Sequence, residues 1–217
     1  MVAILNIGVL GSTKGTDLQA VIGAIEAKDL NARISAVVSN KKDAYILERA
    51  GKHNIDAVFI DSKGKGKEEF DRQVSKELEK HRVNLILAIG YMRILSSWFV
   101  NKWKNKIMNI HPSLLPAFAG GMDRDVHAEV LKAEVKETGC TLHFVTEEVD
   151  SGPVIMQKKV KIGKNETVES LKEKVQKAEQ EIIVKALKLY GQGKIKVNKG
   201  QKWESYNFGM SHNEKIQ

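Results

Sequence analysis

Residues 3–10 read AILNIGVL, apolar at every position except Asn6 and Gly8. A run without polar alternation suits a strand covered on both faces. It leads into the turn GSTKGTD. Leu18, Val21, Ile22 and Ile25 then recur at i, i+3, i+4 and i+7, one apolar helical stripe. A buried strand followed at once by an amphipathic helix is the unit that builds parallel sheets with right-handed crossovers. The unit repeats. ARISAVVS (32–39) predicts a second strand, and Asp43 is placed to cap a helix over AYILERAGK (44–52). DAVFI predicts the third strand. Phe70, Val74 and Leu78 share one face of the next helix, NLILAIG is a fourth strand and KIMNI a fifth. The fold class is therefore α/β: a mostly parallel central sheet with helices on both faces. Such sheets bind ligands beyond the carboxyl ends of their strands.

The rhythm breaks after Pro116. AFAGGMDRD is a glycine-containing loop, and a helix is expected over Val126–Lys136. GCTLHFVT and GPVIMQKKVKI predict two strands joined by an acidic turn. A long helix from Thr167 to Tyr190 turns Val168, Leu171, Val175, Ala178 and Ile182 inward. From Gly191 the chain is polar and lysine-rich. Residues 1–190 thus read as one domain and residues 191–217 as an appended basic segment, with short strand character at KIKV.

The formal net charge of +8 favours anionic ligands: phosphates, polyglutamates or nucleic acid. The lysines are scattered, however, through KGKGKEE and KEKVQKAEQE, as on a solvated surface. Aromatics are 6% and no RNA-binding signature is present, so a nucleic-acid partner is not expected. A phosphate- or nucleic-acid-binding module stays as the non-enzyme alternative. Cys140 is the only cysteine, which excludes an internal disulfide and fits a reducing compartment. No apolar run approaches the roughly 18–20 residues that span a bilayer, and the start has no basic region of a signal peptide. A cytoplasmic protein without membrane contact is expected.

Four stretches can carry chemistry. GSTKGTDLQ (11–19) opens the first helix; its glycines and free N–H groups suit a single phosphate, though a plain strand-to-helix turn has the same look. GYMRIL (90–95) follows strand four and reads as an amphipathic wall or as a helix start packed on the core. In NIHPSLLP (109–116), Asn109 and His111 are two apart, so in extended backbone they point the same way. Pro112 ends the ladder by removing a donor. An amide suits a developing oxyanion and an imidazole suits proton transfer near neutrality; a structural Asn and a surface His are the plainer reading. In TEEVDSGPV (146–154), Asp150-Ser151-Gly152-Pro153 is a turn signature, and Asp150 is also a carboxylate that can face His111. Metal-ligand spacing is absent, so no metal is expected. Cys140 reads as a small buried hydrophobe, and His53, His81, His143 and His212 as structural or surface rings. His127, after the glycine loop, can face a site.

Together, these segments resemble the phosphoribosylglycinamide formyltransferase (GAR transformylase) family over about residues 4–200. NIHPSLLP and GCTLHFVTEEVDSGPVI are the most specific matches. The resemblance implies a Rossmann-like formyltransferase fold. It implies formyl transfer from 10-formyltetrahydrofolate, as co-substrate, to the amine of 5′-phosphoribosylglycinamide in purine biosynthesis. It assigns Asn109, His111 and Asp150 as the catalytic trio. It assigns Gly15, Thr16 and Asp17 to the substrate phosphate and Glu179 to the ribose or glycinamide. The family often has Asn where Asp17 stands, and Lys one turn before Glu179, where this chain has Gln176. Met92, Arg93, Ile94 and Leu95 match the segment holding the pterin, joined on the folate side by Asn109, and Lys67 falls where many members have Arg. His127 takes the place of the family's loop histidine, in a longer loop over 117–127. The Leu115–Pro116 bond is expected to be cis.

Related enzymes define the alternatives. Methionyl-tRNA formyltransferase carries a similar SLLP motif with a further C-terminal domain, for which this chain ends too soon. Formyltetrahydrofolate hydrolase has a small N-terminal domain, for which strand one begins too early. A monomer or homodimer is expected.

Overall fold

The computed structural model describes residues 4–120 and 125–195. Four βα units and a fifth strand open the chain: β1 (Leu5–Gly11), α1 (Thr16–Glu26), β2 (Ala32–Ser39), α2 (Tyr45–Lys52), β3 (Ala57–Phe59), α3 (Lys67–Lys80), β4 (Leu85–Ile89), α4 (Ser97–Lys102) and β5 (Ile107–His111). Then follow α5 (Val126–Lys132), β6 (Glu137–Phe144), β7 (Val154–Lys161) and α6 (Val168–Gly191). One seven-stranded sheet has the order β3-β2-β1-β4-β5-β6-β7. Pairings from β3 through β5 are parallel, whereas β5–β6 and β6–β7 are antiparallel. The sheet is thus mostly parallel, as the alternation predicts, and carries an antiparallel edge.

Strand alternation sorts the core into two layers. Leu85, Leu87 and Ile89 of β4 join Leu18, Val21, Val175 and Ile183 on the α1–α6 side. Ile86 joins Phe70, Val74, Leu78, Phe99 and Trp103 on the α3–α4 side. Each is fully or almost fully removed from water, contributing about 1.5–3 kcal/mol per large side chain. The indole N–H of Trp103 donates to Ser75 Oγ at 3.0 Å, satisfying the polar atom of that buried ring.

The boundaries show which local signals won. Helix α2 starts at Tyr45, with Ala44 at the N-cap and no side-chain cap, so Asp43 does not cap it. Helix α5 ends at Lys132, not Lys136, because Glu134 takes a left-handed φ of 52° that a helix cannot continue. Short α4 was not foreseen; its six residues offer little periodicity, and its Ser96 cap accepts from Phe99 N. Helix α6 has a capping box in which Thr167 and Ser170 each bond the other's backbone N–H. Residues 196–217, which hold the second half of KIKV and the rest of the basic segment, lie outside the described residues. Among the described residues, no helix is long and apolar enough to cross a membrane.

Candidate active site

Strand β5 runs through His111, one residue further than the sequence marks it, so Asn109 and His111 both sit on its last turn of pleat. Antiparallel register then sets Asn109 opposite His143 and His111 opposite Thr141. His143 is buried, with 2% of its surface exposed. Its Nδ1–H donates to the Phe144 carbonyl at 2.9 Å, which leaves Nε2 as an acceptor. Asn109 Nδ2 donates to that nitrogen at 3.1 Å. Burial pushes the His143 pKa down, in keeping with a neutral ring. The sequence reading left His143 out of the site; the signal that would have found it is its strand register against Asn109.

His111 is also buried, and both of its ring nitrogens face acceptors. Nε2 donates to the Phe118 carbonyl at 3.1 Å, and Nδ1 lies 3.4 Å from Asp150 Oδ2. A ring protonated on both nitrogens satisfies both partners. Asp150 also accepts the Gly120 N–H at 3.0 Å, and its other oxygen is 3.7 Å from His143 Nε2. One carboxylate therefore touches both histidines and the loop after Pro116.

The turn that delivers Asp150 is tightly built. Asp150 itself has a φ of 52°, and Phe144 N bonds the Pro153 carbonyl at 2.9 Å. A Cβ on Gly152 would lie 1.7 Å from the Phe144 carbonyl oxygen, so only glycine fits. The opposite loop is pinned as well. Thr141 Oγ1 donates to the Ser113 carbonyl and accepts from Leu115 N, and Gln157 donates to both Leu115 O and Thr141 Oγ1. The Leu115–Pro116 peptide is cis, as expected.

Asn109, His111, His143 and Asp150 line a cavity of about 230 Å³ together with residues 90–95 and 145–149. Met92, Ile94 and Val149, at 39%, 45% and 46% exposure, give it an apolar rim that a flat ring can cover. Arg93 lines it too, its guanidinium stacked 4.3 Å over Phe70. Leu95 completes the wall, whereas Lys67 is exposed at the start of α3 and is not among the lining residues. His127 is buried beside α6, burial holding its pKa down; Val126, not His127, reaches the cavity.

The β1–α1 turn is wired to this wall. Ser12 Oγ accepts from Met92 N at 2.9 Å and donates to Asn40 Oδ1 at 2.6 Å, while Ser12 N donates to the Gly90 carbonyl. Gly15 caps α1 in the left-handed region, φ 62°, and a Cβ there would meet Ile46 at 2.4 Å. Thr16 and Asp17 follow as the first helical residues, with their backbone N–H groups in the unpaired first turn. Asp17 is 6% exposed and Glu179, from α6, 8%. Burial raises both carboxyl pKa values, and the charge of Asp17 raises Glu179 further. Neither Gly15–Asp17 nor Glu179 lines the first cavity; they form a second locus under the same sheet end. Cys140 is fully buried between strands, as its small apolar character suggests. Among the described residues, no group of three His, Cys, Asp or Glu side chains is arranged to hold a metal ion.

A family model described as formyl transferase matches residues 5–187. The chain belongs to the formyl transferase family. The formyl transferase match takes in every strand of the sheet, both stretches that build the cavity, and Glu179. Among relatives, the chain is 38% identical to phosphoribosylglycinamide formyltransferase of Haemophilus influenzae, covering 88% of this chain and 90% of that protein. It is 44% identical over 196 residues to the trifunctional purine biosynthetic protein adenosine-3 of Chironomus tentans, covering 89% of this chain. The chain spans only 14 to 20% of the length of such trifunctional relatives. The solved structure of glycinamide ribonucleotide transformylase 1 from Symbiobacterium toebii superposes with a TM-score of 0.86 at 36% identity. It covers 90% of this chain and 92% of that one.

Proposed function

We propose that this chain transfers the formyl group of 10-formyltetrahydrofolate to the amine of 5′-phosphoribosylglycinamide, a step of purine biosynthesis. The observation that carries the reading is the convergence of Asn109, His111 and Asp150 on one apolar-rimmed cavity, with His143 and the Gly120 N–H holding them. The names of full-length relatives such as the Haemophilus influenzae enzyme support the same substrates.

The residues present fit a folate co-substrate. Met92, Ile94 and Leu95 offer apolar surface to a pterin, and the backbone of residues 90–95 offers polar groups at its edge. Gly15, Thr16 and Asp17 offer first-turn N–H groups to a phosphate, where a helix start favours an anion. Glu179 offers a carboxyl to ribose hydroxyls or the glycinamide. Lys67, exposed on α3, is left to meet the outer end of the folate.

Formyl transfer makes a carbon–nitrogen bond to the incoming amine and breaks the one to the folate nitrogen, through a tetrahedral oxyanion. Asn109 holds a side-chain N–H toward that charge, its orientation fixed by His143. His111, on the cavity wall beside Asp150, supports the same oxygen. Asp150 holds the imidazole in place and orders the water or direct path by which the amine loses a proton and the departing nitrogen gains one. No covalent enzyme intermediate is needed. The test is an assay of purified protein with both substrates. Formation of formylglycinamide ribonucleotide is expected, and its absence from correctly folded protein overturns the reading.

A further inference from the structure

Asp17 and Glu179 are two buried carboxyl groups brought together by the packing of α1 on α6, and among the described residues neither forms an ion pair. Asp17 Oδ1 has no hydrogen-bond partner at all. Asp17 is also the second residue of α1, in the first turn whose free N–H groups favour an anion. A phosphate dianion seated there would stand beside two carboxylates. Three negative centres in one dry place cannot all keep their charge.

We propose that Asp17 meets the phosphate of the substrate as a neutral carboxylic acid, donating its proton to a phosphate oxygen. The Asp17–Glu179 pair is thereby a proton-linked specificity device for phosphate monoesters. The proposal rests on the phosphate reading of the α1 turn given above. An acid there supplies the donor that the orphaned Oδ1 lacks a partner for, and it rejects phosphate once the pair is fully ionised.

Surrounding groups leave the pair to titrate on its own. Gln180 of α6 hydrogen-bonds Asp17, and Lys172 of α6 acts on Glu179 from a distance. From β6, the Cys140 thiol faces both; burial and the Glu179 charge push it upward, so it stays neutral. Lys158 of β7 acts on Cys140. His127 of α5 is pushed down by burial and stays neutral above the ordinary histidine range. Burial pushes both carboxyls up, Glu179 with the charge of Asp17 added. The sign follows: the protonated pair accepts the dianion, so affinity is highest at lower pH and falls as pH rises through the pair's titration.

Two measurements test this. First, KM for phosphoribosylglycinamide and kcat are followed from pH 7 to 9 in wild type and Asp17→Asn, which keeps a donor but cannot titrate. Wild-type KM should rise by up to about tenfold per pH unit, the variant's KM should rise at least about fivefold less over the range, and the pH dependence of kcat should match in both. Second, calorimetry at pH 8 with ribose 5-phosphate, in buffers of different ionisation enthalpy, should show wild type taking up a fraction of a proton approaching one. Asp17→Asn, with only Glu179 left to titrate, should take up clearly less. Equal KM profiles in the two proteins, or binding without proton uptake by wild type, overturns the proposal while leaving the function intact. If phosphoribosylglycinamide is formylated at no pH, the function reading itself fails and takes this one with it.

Discussion

Asn109 and His143 face each other across the β5–β6 ladder, and the amide donates to a ring nitrogen that is free to accept only because the other is bound to Phe144 O. The histidine thus fixes which way an amide points, and a misaimed amide presents a carbonyl where a donor is needed. Asn109→Ala should lower kcat by about 10²–10³-fold, the scale for one oxyanion donor. His143→Ala should lower it by about 10–10²-fold with little change in KM. Because the two act through one hydrogen bond, the double variant should be no slower than Asn109→Ala to within about threefold. Fully additive losses in steady-state assays would mean that His143 acts by another route.

Asp150 touches His111, the Gly120 N–H and the neighbourhood of His143 with one carboxylate. Asp150→Asn keeps the size and can still accept from Gly120, but it removes the charge opposite His111. Turnover should fall by 10²-fold or more, on the scale of lost acid–base support, with both KM values within about threefold of wild type. Near-normal kcat in that variant would take Asp150 out of the chemistry.

Gly152 lies where a Cβ would sit 1.7 Å from the Phe144 carbonyl oxygen, a backbone atom that cannot rotate away. Gly152→Ala must therefore open the β6–β7 turn. A loss of about 1–3 kcal/mol in urea unfolding is expected, the usual scale of overpacking. Since the same turn carries Asp150, kcat should fall as well. An active variant of unchanged stability would show that the turn relaxes freely.

The parallel core was legible because it is local: apolar runs and helical stripes in the first 110 residues state their own faces, as Leu85–Ile89 do against Phe70, Val74 and Leu78. Asn109 and His111 were legible by their spacing of two, and Asp150 through its distinctive turn and the family resemblance. What escaped was pairing at a distance. His143 looks like any strand histidine until register sets it against Asn109, and Ser12 looks like a turn residue until its hydroxyl meets Met92 N, 80 residues on. Asp43 misled because a good capping residue was present and the backbone began the helix two residues later. Lys67 was placed by family position alone, and helix α3 starts with it exposed and outside the cavity lining.

The Asp17–Glu179 pair also has a signature in stability that needs no substrate. Folding raises both carboxyl pKa values, chiefly by burial. The native state therefore holds protons that the unfolded chain gives up near pH 4. Where the native state binds more protons, stability falls with rising pH. The cost is absent below the unfolded value, accumulates from about pH 4 upward, and is complete once pH passes the raised native values. Asp17→Asn removes one titrating group and the repulsion it exerts on Glu179. The variant should match wild type in urea unfolding at pH 4 and exceed it at pH 8.5 by on the order of 1–3 kcal/mol. Glu179→Gln should show the same sign. Equal stability of wild type and Asp17→Asn at both pH values would mean that the two carboxyls are hydrated or paired in solution, and that the pair does not form.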